Sequence, residues 1–187
     1  TQEFVSDETQ DISEKMVPPT AIARTGRLRV MTAQHVELEF DGPIARVWLN
    51  RPDKLNGITS DMMQQLKDAA AVIDKNRDVR VVFLEGRGGS FCAGLDFGKV
   101  MTNPKKVGRW FIPNPIRGTN MFQEPLWSWR RLSVPVIAIT RGHVFGGGIQ
   151  LALAADFRFT TPDCEWSVLE AKWGLVPDMS GTSALTD

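Results

Sequence analysis

The chain has 187 residues with 22 basic and 22 acidic side chains, so its formal net charge is zero. That length points to one domain with a sizeable core, and 42% hydrophobic with 24% charged residues is the balance of a folded globular protein. A neutral chain lacks the long-range pull toward nucleic acid, and no apolar run approaches the ~18 residues of a membrane helix, so neither partner is expected.

The first residues, Thr1 to Lys15, are acidic and lack the basic flank and apolar stretch of a secretory signal. A cytoplasmic location is the expectation. Cys92 and Cys164 have no neighbouring cysteine, which excludes a disulfide framework or a zinc knuckle. His35 and His143 are the two histidines, too few for a three-histidine zinc site. No metal is expected.

Residues 1–33 are polar and weakly patterned: acidic at the start, then Pro18-Pro19, then Arg24, Arg27 and Arg29. They read as a polar N-terminal extension, in part disordered, or as an arm packed on a neighbouring subunit. Residues 34–187 form the core domain. Val36 to Phe40 alternates apolar and polar residues, Asp41-Gly42-Pro43 supplies a turn, and Ile44 to Leu49 completes a hairpin. Ser60 to Asn76 reads as an amphipathic helix with Ser60 as its N-cap and Met63, Leu66, Ala70 and Ile73 at helical spacing. Val79 to Leu84 and Val134 to Ile139 are apolar runs of strand length, as expected where both faces are covered, and Phe157 to Thr160 is a shorter candidate. Strands alternating with helices make an α/β domain.

Two glycine-bearing turns follow the buried strands. The first is Ser90-Phe-Cys-Ala-Gly-Leu-Asp96; the second is Gly142-His-Val-Phe-Gly-Gly-Gly148, with Ile149 to Ala155 helical beyond it. Small residues let backbone approach a ligand, and a helix start leaves N–H groups unpaired. One donor from each turn would make a two-point oxyanion hole. Plain strand-to-helix connections use the same residues, so spacing leaves both readings open. The glycines lack the G-x-G-x-x-G spacing of a dinucleotide fold and the Gly-Lys-Ser/Thr of a phosphate loop.

These two turns, together with Glu170-Ala-Lys-Trp-Gly-Leu-Val-Pro-Asp178 and Asn50-Arg51-Pro52 followed by Asn56, resemble the crotonase (enoyl-CoA hydratase/isomerase) superfamily from about Val36 onward. The resemblance implies a crotonase-like spiral of ββα units, a homotrimer or a dimer of trimers, and an acyl-CoA thioester as substrate. Coenzyme A then enters as part of the substrate and no separate cofactor is implied. The oxyanion-hole donors would be the N–H groups of Leu95 and Gly147. Ala93 and Gly146 beside them, and Lys54 near the first helix, complete the expected substrate-binding set. Family members continue beyond the Pro-Asp segment with helices that cover the site. This sequence stops at Asp187, so a core without that C-terminal part is the expectation.

Hydratases of the family work with two glutamates. One matches Glu170; the other falls on Gln150, whose amide has no proton to trade at neutral pH. Glu170 alone suits a proton shuttle between C2 and C4, and Gln150 suits a hydrogen-bonding role. Asp178 matches an acidic position of the family's dienoyl-CoA isomerases, so Glu170, Gln150 and Asp178 form the catalytic candidates. A binding or scaffold protein of the same fold is the alternative. His143 and Cys92 read as structural. Trp127 and Trp129 either wall an acyl pocket or pack in the core.

Overall fold

The computed structural model describes residues 27–32, 34–102 and 104–186; residues 1–26, most of the expected extension, lie outside the described residues. The described end of the extension is a strand. β1 (Arg27–Thr32) pairs antiparallel with β2 (Val36–Asp41), which pairs antiparallel with β3 (Ile44–Leu49). Arg27, Leu28, Arg29 and Val30 alternate charged and apolar residues, a period-two signal hidden by the polar composition around it.

From β3 the sheet becomes parallel. β4 (Val81–Gly86), β5 (Val136–Thr140) and β7 (Phe157–Thr160) follow in order, giving a six-stranded sheet β1-β2-β3-β4-β5-β7. β6 (His143–Phe145) and β8 (Glu165–Ser167) pair in parallel as a separate two-stranded sheet. Parallel neighbours require crossovers, and these carry the helices. α1 (Ser60–Lys75) links β3 to β4. α2 (Phe97–Val100), α3 (Pro104–Trp110) and α4 (Glu124–Arg130) lie between β4 and β5. α5 (Gly147–Leu153) follows β6, and α6 (Gly181–Ala184) follows the chain's last extended segment.

The hairpin lies where its alternation places it, with Val36 and Leu38 fully buried and Phe40 nearly so. All four apolar positions read for α1 are buried, and Met62 and Ala69 join them. Its N-cap is Thr59 and not Ser60: Thr59 has the extended backbone a cap needs, and its side chain accepts the Met62 N–H at 3.2 Å. The two central strands start two residues later than their apolar runs. Val79 is buried, but its N–H turns back to Asn76, and the ladder with β3 begins at Val81 opposite Ile44. Pro135 has no N–H, so the ladder of β5 opens at Val136 opposite Val82. Both strands bury alternate residues more deeply than the others, so they are not equally covered on both faces. α5 begins at Gly147, two residues before the expected start. The core runs between sheet and helices, from Val36 through Met63, Leu84 and Trp129 to Leu151.

Candidate functional site

The first turn is fixed from beneath by Asn56, a fully buried polar residue at φ 55°. Its side-chain oxygen accepts the Arg51 N–H at 2.8 Å, and its amide donates to the carbonyls of Arg87 and Ser90 at 2.9 and 2.8 Å. Asparagine tolerates left-handed backbone and here satisfies three buried main-chain groups at once. Arg51 reaches across to donate to the Gly57 carbonyl and, at 3.1 Å, to the carboxylate of Asp96. The next residue, Ile58, bridges to Leu95: its N–H bonds the Gly94 carbonyl at 2.8 Å, and its own carbonyl receives the Asp96 N–H at 2.9 Å. A parallel bridge uses the neighbours of Leu95 and turns the N–H of Leu95 away. Among the described residues that N–H donates to nothing.

The second turn is fixed by pairing and by close approach. Cys92 bridges to Val144, and the Gly146 N–H bonds the Ser167 carbonyl at 3.0 Å. Gly146 adopts φ 50° and caps the start of α5, which leaves the N–H of Gly147 without an acceptor among the described residues. Gly148 has no room for a side chain, since a Cβ there would collide with the carbonyl of Cys92. That contact explains why glycine stands inside the first turn of the helix, although it is a weak helix former. The two turns touch: a Cβ on Gly94 would sit 3.4 Å from the Gly147 nitrogen, and one on Gly147 would sit 3.6 Å from the Leu95 nitrogen.

Both unpaired N–H groups belong to residues lining one cavity of about 440 Å³, as do Ala93, Gly146, Gln150, Glu170 and Asp178. The structure therefore gathers seven of the eight residues singled out in the sequence. Lys54 is the exception: it is exposed on the turn Pro52–Lys54 and lines a different groove, with Asp61 and Lys99.

Glu170 lies on the short 3-10 turn Leu169–Trp173 and not on a regular helix. The β6–β8 pairing carries it over Gly146, where an added Cβ would sit 3.6 Å from Oε1 and 3.8 Å from Oε2. Gln150, one turn into α5 and 1% exposed, donates from Nε2 to Glu170 Oε1 at 2.7 Å. Its Oε1 accepts the N–H groups of Ser180 and Gly181 at 3.2 and 3.0 Å, which fixes the orientation of the amide. Glu170 Oε2 is buried and has no hydrogen-bond partner. Asp178 is exposed at the rim; its N–H bonds the Val176 carbonyl at 2.8 Å, and its carbonyl accepts from Gln123 at 3.1 Å.

His143 Nδ1 lies 2.8 Å from Ser90 Oγ, on a strand that does not face the cavity lining. Burial pushes the Cys92 thiol up to about 12, against a smaller lowering by a hydrogen bond at Gly94, so it stays protonated and inert. Trp129 packs in the core, and Trp127 lies near Arg130 and Arg131; neither lines the cavity. Sequence reasoning missed the cavity's apolar walls, Phe97, Met101, Phe111, Phe122 and Trp173. They come from short helices and loops with no periodic signal. Arg51 and Asn56 stood in a quoted motif, but the buried network they build was not visible there.

A family model described as enoyl-CoA hydratase/isomerase matches residues 39–187. A probable enoyl-CoA hydratase, EchA12, of Mycobacterium leprae is 35% identical over 151 residues, 80% of this chain and 51% of that protein. The short-chain-enoyl-CoA hydratase of Clostridium acetobutylicum is 31% identical over 157 residues, 83% of this chain and 58% of its own. A Thermobifida fusca protein assigned as an enoyl-CoA hydratase and solved with acetoacetyl-CoA superposes with TM-score 0.66 at 29% identity, over 81% of this chain and 60% of that one. The chain thus spans about half the length of the curated relatives it matches. With the family model covering four fifths of the residues and the folds superposing, the chain belongs to the enoyl-CoA hydratase/isomerase family.

Proposed function

We propose that the protein acts on an acyl-CoA thioester by enolate formation and moves a single proton, interconverting 3-enoyl and 2-enoyl thioesters. The observation that carries this reading is the Gln150–Glu170 hydrogen bond beside two unpaired backbone N–H groups in one cavity. The thioester oxygen rests between the N–H groups of Leu95 and Gly147. These donors strengthen as negative charge builds on that oxygen, which is worth about 3–4 kcal/mol per donor in well-studied oxyanion holes. Glu170 Oε2 takes a proton from C2, the double bond moves from C3–C4 to C2–C3, and the same oxygen returns the proton at C4. Atoms balance without water or a second acid. Ala93 and Gly146 leave room for the thioester.

Hydration would need a second group to bind and polarise water. Gln150 cannot take a proton from that water: it is an amide, and its oxygen is already held by two backbone N–H groups. Asp178, the other acid among the described lining residues, stands exposed at the rim. Incubation with matched 2-enoyl- and 3-enoyl-CoA in heavy water, followed by mass, tests the reading. Interconversion without gain of water, lost in Glu170→Gln, supports it. Addition of water to the 2-enoyl thioester sinks it in favour of a hydratase, and thioester binding without turnover sinks it in favour of a binding protein.

A further inference from the structure

The cavity wall bears on which acyl group fits, given the reading of this cavity as an acyl-thioester site. The polar groups of the cavity are confined to the two turns, Gln150, Glu170 and Asp178; most of the remaining wall is apolar. Its anchor is Phe122, only 4% exposed. Phe111 lies against it with ring centroids 4.8 Å apart and planes tilted by 41°, and Trp110 meets it edge-on at 5.7 Å and 74°. The buried ring thus holds Phe111 in place. Phe111 itself is 50% exposed, Phe97 44% and Trp173 67%, yet all three line the same cavity.

An apolar group that packs against these rings gains from the area it covers. Rings also reward a ring beyond the area covered, because offset and edge-to-face arrangements match the charge distribution of the π-systems. The Met101 thioether, in the same wall, adds a soft contact of the kind that favours ring edges. A flat aryl group loses little rotamer freedom on docking, whereas a flexible alkyl chain loses more.

We propose that this site is built for an aryl-substituted acyl thioester, its ring packed against Phe111 and Trp173 while its carbonyl rests at Leu95 and Gly147. Phe111 is then a specificity-determining residue that touches the acyl group. Unreactive saturated thioesters isolate binding from turnover, so calorimetric titration of the 187-residue chain with coenzyme A, butanoyl-CoA, hexanoyl-CoA and 4-phenylbutanoyl-CoA is the test. The phenylbutanoyl thioester is expected to bind roughly tenfold more tightly than the hexanoyl one. Phe111→Leu, which keeps bulk without a ring, should bring the two to near parity. Equal or tighter binding of hexanoyl-CoA overturns the proposal, as does a preference that survives Phe111→Leu. Failure of every thioester to bind better than coenzyme A overturns this proposal and the acyl-thioester reading together.

Discussion

At the scale of single residues, the site turns on one carboxylate and the amide that holds it. Glu170→Gln keeps shape and removes the proposed proton carrier, so it should lower enoyl-CoA interconversion by roughly 10²–10⁴-fold. Circular dichroism of that variant should match the parent, because the exchange leaves the Gln150 amide with an oxygen acceptor. Gln150→Met removes the bond to Glu170 and strands the N–H groups of Ser180 and Gly181. Each stranded group costs about 1–3 kcal/mol, which urea denaturation would register as a lower midpoint. Both residues were legible in the sequence as site members, through the motifs that carry the family resemblance. The direction of the amide was not. It depends on backbone N–H groups thirty positions away, which no local pattern encodes.

At the scale of elements, the two turns are positioned by contacts that reach across the chain. Asn56→Ala would leave the Arg51 N–H and the Arg87 and Ser90 carbonyls unpaired beneath the first turn. The expected outcome is a loss of about 2 kcal/mol or more in denaturant titration, together with weaker thioester binding because Ile58 no longer fixes Leu95. A second element, the segment leading into α4, is tied by Glu124, which accepts from Thr119, Arg117 and Arg131. Burial alone would raise the Glu124 carboxyl, but these hydrogen bonds and the Arg131 charge hold it below its ordinary value of 4.5. A carboxyl lowered in the folded state contributes stability above the unfolded value and loses it as pH falls through the folded one. Stability should therefore drop more steeply below pH 4.5 in the parent than in Glu124→Gln, as read by urea midpoints against pH. Strand and helix existence was legible because alternation and helical spacing are local. Boundaries were not, since they depend on partners: Ile44 sets where β4 begins and Pro135 where β5 begins.

At the scale of the whole molecule, the family resemblance located seven candidate residues around one cavity, and the fold explains how. A parallel sheet with crossovers brings the ends of β4 and the chain after β5 side by side, so turns more than fifty residues apart touch at Gly94 and Gly147. The cavity's aromatic walls escaped sequence reading because Phe97, Phe111 and Trp173 meet only through tertiary packing. Among the described residues no helix is long and apolar enough to cross a membrane. The edge strand β7 leaves Phe157 and Phe159 57% and 63% exposed, two positions apart and so on one face. Open aromatic surface of this kind drives association. Sedimentation coefficients should rise with concentration in the parent and stay flat in Phe157→Ser/Phe159→Ser.

On the proposed reading Glu170 alone moves the proton of a thioester held at Leu95 and Gly147. Proton NMR of a 3-enoyl-CoA, following migration of the double bond from C3–C4 to C2–C3 in the parent, Glu170→Gln and Gln150→Met, tests it. Rapid migration in the parent, none above background in Glu170→Gln and a reduced rate in Gln150→Met are predicted. Migration that continues undiminished in Glu170→Gln would contradict this reading, because another group would then be moving the proton.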